Sequence, residues 1–325
     1  MSCPGSVPST PCVQLWPARD VPLGGVRGVT VSRTLPQRGM PTVGAWCFLD
    51  SFGPAAPDMS VLPHPHIGLQ TVTWPLSGVI RHRDSIGSDV LVRPGELNLM
   101  TAGDGVVHSE FSWLGEDSGD AAGKTMRGLQ LWVALPEESR HGAAGFEQHR
   151  ELPVGHVDGL TITMLLGELA GLRSPATTFS PIVGAQIDSV PGSSSLPLNP
   201  LFEHAILVID GALLIDGTAV PAGPLAFLGA GRAELSVQAD ADCRFLLIGG
   251  EPFAEDLLMW WNFVARSQAE IEAARADWEA AAGIASARFP VVAGHGPEAG
   301  AEAGRIPAPP LPAVKLTPRR RSPQT

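Results

Sequence analysis

The chain is short of positive charge and lacks any long apolar run. Its 325 residues include 22 Lys and Arg against 33 Asp and Glu, so the formal net charge is -11. Phosphate binding needs a basic face, and this balance argues against direct binding to nucleic acid or to an anionic membrane surface. No apolar stretch approaches the roughly 20 residues of a membrane-spanning helix. The remaining function classes are those of a protein that acts on small molecules or protein partners.

Cysteines are few and unpaired in spacing. Cys3, Cys12, Cys47 and Cys243 form no CxxC pair and no disulfide framework. Cys47 lies in an apolar run, where a buried thiol is expected. The sequence also lacks a basic segment followed by an apolar one, the pattern of a signal peptide. We therefore expect a cytoplasmic protein with reduced thiols.

Glycine and proline, by contrast, are abundant, at 37 and 31 residues. Such frequent interruption divides a chain into short segments and favours strands and turns over long helices. Short runs of alternating apolar and polar residues, typical of half-buried strands, occur from Val29 to about Pro136. A second block of this kind runs from about Leu160 to Gly249. The sequence therefore predicts an all-β protein.

The two β-rich blocks form a weak internal repeat. At one constant offset, Gly95, Leu97, Leu99, Met100, Ala102 and Gly103 match Gly223, Leu225, Phe227, Leu228, Ala230 and Gly231. A repeat that spans a whole β-domain predicts two antiparallel barrels of related fold rather than a solenoid.

One helix is predicted, from about 268 to 282. Ser267 and Glu270 fit a capping box, and Ile271, Ala274 and Trp278 follow at helical spacing. The predicted organisation is an N-terminal extension (1–28), a first barrel (29–150), a second barrel that includes the helix (151–289) and a tail rich in Pro, Ala and Gly (290–325).

Two pairs of residues carry the chemistry. His64 and His66 are two positions apart, as are His108 and Glu110, and in an extended strand such residues point to the same side. Adjacent strands can therefore aim three imidazoles and one carboxylate into one space. This mixed nitrogen and oxygen set suits borderline first-row metals. A lone His-x-His pair is often a surface accident, but the second pair, with the same spacing, favours a metal site.

The remaining histidines and the repeat both bear on this prediction. Histidines outside the pairs are His82, His141, His149, His156, His204 and His295. His82, flanked by arginines, is interpreted as part of a solvated strand face. Leu76-Ser77-Gly78 matches Ile209-Asp210-Gly211 at an offset of 133, and at this offset His64 and His66 correspond to Pro197 and Asn199. At the offset of 128, His108 and Glu110 correspond to Ser236 and Gln238. We therefore expect one metal-binding barrel and one metal-free barrel.

These residues resemble the pirin family of the cupin superfamily. The matching stretches, which span nearly the whole chain, are 34-TLPQRGMPTVGAWCFLDSFGP-54, 64-HPHIGLQTVTWPLSG-78, 81-RHRDSIGS-88, 93-RPGELNLMTAGDGVVHSE-110 and 259-MWWNFVARSQAEI-271. In pirins, the two histidines of HPH and the later histidine and glutamate bind one iron. Those positions fall on His64, His66, His108 and Glu110. The resemblance also implies a bicupin with a metal-free C-terminal barrel.

The resemblance implies two classes of function. Some pirins resemble quercetinases, which open a flavonol ring with O2, and others act as transcriptional coregulators whose metal senses redox state. The enzyme interpretation takes Fe(II) as cofactor, a flat aromatic or flavonol-like substrate with O2, and Glu110 as catalytic base. Its candidate pocket residues are Trp74, Leu99 and Met100. The alternative is a non-enzymatic, metal-dependent redox sensor or transcriptional coregulator that acts through protein partners.

The chain departs from the family pattern at Gln70, a position that is often glutamate in cupins and in some pirins. An amide can act neither as a carboxylate ligand nor as a base. Glu110 still supplies one anion for the metal, so the metal site is retained. The motif itself, however, provides no second carboxylate for chemistry in the pocket.

Overall fold

The computed structural model describes residues 13–22, 30–55, 59–114, 125–280 and 286–319. In chain order, the first strands are β1 (Gln14–Trp16), β2 (Arg19–Pro22), β3 (Thr30–Leu35), β4 (Trp46–Ala55), β5 (Ser60–His66), β6 (Leu69–Ser77), β7 (Ile80–Asp84), β8 (Asp89–Val92), β9 (Leu97–Thr101), β10 (Val106–Ser112), β11 (Met126–Ala134) and β12 (Gly145–His149). The later strands are β13 (Val154–Val157), β14 (Leu160–Leu169), β15 (Leu172–Arg173), β16 (Ile182–Ser189), β17 (Gly192–Pro197), β18 (Glu203–Asp210), β19 (Ala212–Ile215), β20 (Thr218–Pro221), β21 (Leu225–Gly229), β22 (Glu234–Ala239), β23 (Cys243–Gly250), β24 (Leu258–Trp260) and β25 (Phe263–Ala265).

Helical structure is sparse in the described residues. It comprises the α-helix α1 (Gln268–Ala280) and a 3₁₀ helix (Pro297–Glu302). Neither has the length and apolarity that crossing a membrane as a helix would require. The predicted all-β fold with one short helix is confirmed.

The N-terminal domain comprises Arg19–Leu152 and Ala254–Thr325. Its larger sheet has the strand order β12-β9-β6-β11-β4-β3-β2, and its smaller sheet has the order β5-β10-β7-β8. Both sheets contribute to one apolar core, with Val31 and Phe52 from the larger and Val61 and Ile80 from the smaller. A two-stranded sheet, β24-β25, completes the domain.

The C-terminal domain comprises Met1–Ala18 and Pro153–Phe253. One sheet has the order β1-β21-β18-β23-β16-β14-β13, with β15 paired to β14, and the other has the order β17-β22-β19-β20. Along β22, Leu235, Val237 and Ala239 are buried while the residues between them are exposed. This alternation places one face of the strand on the core.

Each domain is a pair of packed sheets rather than the closed barrel expected from the sequence. The reason is visible in the N-terminal domain, where the chain from β5 to β11 passes from one sheet to the other at every step except from β7 to β8. Hydrogen bonding among the described strands stays within each sheet, and the apolar faces meet between the sheets. The site described below lies between the two sheets of the N-terminal domain.

Helix α1 begins at the predicted capping box. The Glu270 N–H donates to Ser267 Oγ over 3.3 Å, and the Ser267 hydroxyl donates to Glu270 Oε1 over 2.9 Å. The predicted apolar positions Ile271, Ala274 and Trp278 are the buried residues of the helix. The helix ends at Ala280, and the last two residues of the predicted span lie outside the described residues.

The contacts of α1 differ from the predicted domain division. The sequence placed the helix in the second barrel, which it follows along the chain. Its buried face instead packs with Ile67 and Val107 in one apolar cluster of the N-terminal domain. The predicted N-terminal extension is also divided, because β1 pairs with β21 and β2 pairs with β3. Only packing could reveal these assignments, since a sequence pattern does not record which surface an apolar face meets.

Candidate metal centre

The register of the smaller sheet brings the two predicted pairs together. Strand β10 runs antiparallel to β5 and places His108 directly opposite His64. His66 is two residues further along β5 and is paired with Val106. A β-bulge shifts the register between His108 and Glu110. On its other side, Glu110 is paired with His82 of β7. Because directly opposite residues share a face of the sheet, the histidines of both predicted pairs converge.

Three of the four predicted ligands form a compact buried cluster. Ligand atoms of His64, His66 and His108 all lie within 4.8 Å of one another. The Nε2 atoms of His66 and His108 are 3.0 Å apart. Two nitrogens bound at a right angle to one ion, each at about 2.1 Å, would lie about 3.0 Å apart. The spacing of these imidazoles therefore fits a shared ion.

Glu110, the fourth predicted ligand, lies beside this cluster. Its carboxylate is within 4.8 Å of ligand atoms of His82 and His108, which makes a second group that shares His108 with the first. The Thr73 hydroxyl is 3.1 Å from Glu110 Oε1. Burial raises the pKa of Glu110, against the opposing effects of His82 and of the Thr73 hydrogen bond. The four residues thus meet as a three-histidine cluster with an adjacent buried carboxyl.

The three histidines are neutral at neutral pH. Burial lowers the pKa of His64 to about 4 and holds the pKa of His66 and of His108 well below the usual range. The Nδ1–H of His64 donates to the Leu62 carbonyl over 2.9 Å, which leaves its Nε2 with a lone pair. Neutral imidazole is the form that binds a metal. Charge state and geometry therefore both fit a cation.

His82 is buried, so its interpretation as part of a solvated strand face was wrong. It is 2% exposed. Its Nδ1 is 3.5 Å from Nδ1 of His108, and its Nε2 is 3.3 Å from Oδ2 of Asp84. The arginines on either side suggested solvent, but neighbouring residues of a strand point to opposite faces. The spacing of two between His82 and Asp84 was the signal that could have identified this pair.

A cavity that opens to solvent lies beside the histidines. Its lining includes Phe48, Trp132, Trp261 and Ile306 together with His64, His66, His108 and Glu110. The rings of Phe48 and Trp132 stack with centroids 3.9 Å apart. The candidate ligands are thus reached through a largely aromatic and aliphatic space.

The predicted pocket residues Trp74, Leu99 and Met100 do not line this cavity. All three are buried elsewhere in the domain. Thr73 points toward the site, so Trp74, the next residue along β6, points to the opposite face. Leu99 shares that opposite face, because its register partner is Val72. Alternation along the strands therefore removes two of the three candidates.

A row of polar residues crosses the larger sheet beside the cavity. Gln148, Asn98, Thr73, Gln130, Asp50 and Arg33 are successive register partners on β12, β9, β6, β11, β4 and β3. Arg33 donates two hydrogen bonds of 2.7 Å to Asp50, and Thr73 Oγ1 is 3.0 Å from Gln130 Oε1. Asn98, Thr73 and Asp50 of this row are buried, and each has a hydrogen-bond partner in the row, as buried polar groups need.

Asp50 gives the cavity a second carboxylate, which the HPH motif did not provide. Asp50 and Gln130 both line the cavity. Burial raises the pKa of Asp50, while its hydrogen bonds from Arg33 lower it. Gln70 is not part of the cavity lining, and its amide donates to Thr101 Oγ1 over 3.0 Å. The second carboxylate thus comes from β4 rather than from the Gln70 position.

Two glycines allow close approach beside the site. Gly68 has a φ of +69°, and a Cβ there would lie 2.1 Å from the Val264 carbonyl oxygen. Gly103 has a φ of +52°, and a Cβ there would lie 2.1 Å from the Gly142 carbonyl oxygen. The Gly68 N–H donates to the Gly103 carbonyl over 2.9 Å. A side chain at Gly68, two residues after His66, would clash with the Val264 backbone, and one at Gly103 would clash with the Gly142 backbone.

Comparison with known proteins identifies the family of the chain. Residues 28–133 match the pirin family model, and residues 190–283 match that of the pirin C-terminal cupin domain. A Pseudomonas aeruginosa protein described provisionally as a quercetin 2,3-dioxygenase is 43% identical over 300 residues, 91% of this chain and 89% of that protein. A pirin-like protein of Caulobacter vibrioides is 36% identical over 260 residues, 77% of this chain and 88% of that protein.

A solved structure shares the fold over most of its length. The crystal structure of a quercetin 2,3-dioxygenase from Acinetobacter baumannii matches with a TM-score of 0.84 at 36% identity. The match covers 94% of this chain and 97% of that chain. The expected cupin fold of both domains is confirmed, and the chain belongs to the pirin family.

Proposed function

We propose that this protein is an iron-dependent dioxygenase of the quercetinase type, with one Fe(II) held by His64, His66, His108 and Glu110. The observation that carries the proposal is the cluster of three neutral, buried imidazoles beside a carboxyl, at one wall of an aromatic cavity. The relatives named as quercetin dioxygenases support a flavonol as the substrate class.

Each group of the site has a separate task in this proposal. A bound ferrous ion supplies Lewis acidity toward a phenolic oxygen and electron exchange with O2. The three histidines hold the ion, and Glu110 adds an anionic ligand and accepts the proton of the substrate hydroxyl at a carboxylate oxygen. Burial raises the pKa of Glu110, so its ionised form is a stronger base than an exposed carboxylate. Thr73 holds Oε1 of Glu110 in position.

The residues of the cavity wall support a flat, hydroxylated ring as the substrate. Phe48, Trp132 and Trp261 offer aromatic surface that suits a planar ligand. Asp50 and Gln130 add polar atoms to the same wall. Each oxygen of the Asp50 carboxylate has a further lone pair beyond the one used by Arg33. Ring hydroxyls of the substrate can donate to those lone pairs.

Purified protein loaded anaerobically with Fe(II) is expected to open the flavonol ring of quercetin when O2 is admitted. The measurement is loss of flavonol absorbance together with O2 uptake, with free Fe(II) at equal concentration as the control. Luteolin is the matched substrate control, because it lacks the 3-hydroxyl whose proton Glu110 is proposed to accept. Luteolin is expected to remain intact.

A rate no higher than that of free iron would refute the enzyme proposal. It would favour the alternative, a metal-dependent redox sensor or transcriptional coregulator that acts through a protein partner. Equal turnover of quercetin and luteolin would keep an oxygenase activity but remove the proposed proton transfer.

A further inference from the structure

Three buried groups form a line that leads away from the histidine cluster. Asp84 Oδ2 is 3.3 Å from His82 Nε2, and His82 Nδ1 is 3.5 Å from His108 Nδ1. The side chains of His82 and Asp84 are 3% and 0% exposed, and His108 is 1% exposed. In each contact between buried polar groups, one atom must donate a hydrogen bond and the other must accept it, since water cannot replace a missing partner.

The two ring nitrogens of His108 face different neighbours. Its Nε2 is 3.0 Å from Nε2 of His66, inside the three-histidine cluster, while its Nδ1 faces His82. A neutral imidazole carries its proton on only one nitrogen. His108 can therefore present a lone pair to a metal at Nε2 only when its proton is on Nδ1 and points at His82.

The hydrogen bonds of Asp84 determine which ring nitrogen of His82 carries the proton. Its Oδ1 accepts the backbone N–H groups of Ile86 and Ser88, over 3.1 and 2.8 Å. Its Oδ2 is left facing His82 Nε2. An ionised carboxylate can only accept, so in the neutral ring of His82 the proton is on Nε2. The Nδ1 of His82 then has a lone pair, which accepts the proton of His108 Nδ1.

We propose that Asp84 and His82 are positioning residues that fix His108 as its Nδ1–H tautomer, so that His108 Nε2 is ready to bind the metal. This inference rests on the metal site proposed above, but not on any activity of that site. Partners that orient a histidine ligand in this way typically contribute about 10–100-fold to metal affinity.

Asp84→Asn tests the proposal without altering the shape of the site. The asparagine oxygen can still accept from Ile86 and Ser88, but its NH2 group then faces His82 Nε2. The proton of His82 must move to Nδ1, and His108 must carry its own proton on Nε2. Affinity for Co(II), measured from its d–d absorption, is expected to fall about 10–100-fold. Asp89→Asn, which removes the exposed partner of Arg81, is the control and should bind Co(II) as the parent does.

A second readout separates positioning from a merely structural role. In metal-free protein, ¹⁵N chemical shifts of the imidazole nitrogens should place the His108 proton on Nδ1 in the parent and on Nε2 in Asp84→Asn. If Asp84→Asn does not fold, His82→Phe keeps an aromatic ring against Phe146 and removes both nitrogens. It should lower Co(II) affinity by a similar factor.

The outcomes are distinct. Unchanged Co(II) affinity in folded Asp84→Asn, or a His108 proton on Nε2 in the parent, would overturn the inference. Failure of the parent to bind Co(II) would refute the proposed metal site itself. Absence of quercetin turnover in a parent that binds Co(II) would refute only the dioxygenase proposal.

Discussion

Replacement of His66 by alanine is expected to lower Fe(II) affinity by more than about 100-fold, beyond the loss typical of an outer hydrogen-bond partner. The reason is direct, because His66 Nε2 lies 3.0 Å from His108 Nε2 in the cluster proposed to hold the ion. Iron content after anaerobic loading and gel filtration gives the occupancy, and a Co(II) titration gives the affinity.

His141→Ala is the matched control for this loss. His141 lies in the same domain, but its side chain is 52% exposed, beside Asp104. The control should retain iron as the parent does, and circular dichroism should show both variants folded. Full iron occupancy in His66→Ala would mean that His66 is not a ligand.

Glu110→Gln is expected to reduce quercetin turnover by roughly 10²–10⁴-fold under iron saturation, the usual contribution of a positioned base. The amide keeps the shape and one oxygen, which can still accept from Thr73, but it cannot take a proton. Iron affinity should also fall, since an anionic ligand becomes neutral. Turnover is therefore measured at iron concentrations that saturate the variant, with anaerobic binding followed separately.

Asp50→Asn is the comparison for the Glu110 variant. It removes the other carboxylate of the cavity, which is paired with Arg33 rather than grouped with the histidines. Its effect should fall mainly on KM, through substrate hydroxyl contacts, while Glu110→Gln acts on kcat. If iron-saturated Glu110→Gln turns over as fast as the parent, a dioxygenase would remain, but its base would be another group.

The period-two spacing of strands made the centre of the site predictable. His64 with His66, and His108 with Glu110, each lie on one face of a strand, and antiparallel pairing of β5 with β10 sets His108 opposite His64. The same rule applied to His82 and Asp84 would have found the pair behind His108. The flanking arginines, Arg81 and Arg83, instead led to the prediction that His82 is exposed to solvent, although they occupy the opposite face of the strand.

Other parts of the site depend on pairing that a single sequence does not record. Asp50 is a lone charge in the apolar strand β4, and its value to the cavity depends on register with Gln130 and Arg33. Trp74 and Leu99 were sound apolar candidates, but strand alternation turns them away from the cavity. Local chemistry predicted the start of α1 through Ser267 and Glu270, whereas its domain could be assigned only from its packing.

Anomalous diffraction at the iron edge from anaerobically loaded crystals tests the central claim most directly. We expect one iron per chain, in contact with His64, His66, His108 and Glu110. We expect none in residues 153–253, where Glu203 and His204 are neighbours on β18 and so point to opposite faces. A peak held by other residues, a second peak in the C-terminal domain, or no peak after full loading would contradict the account.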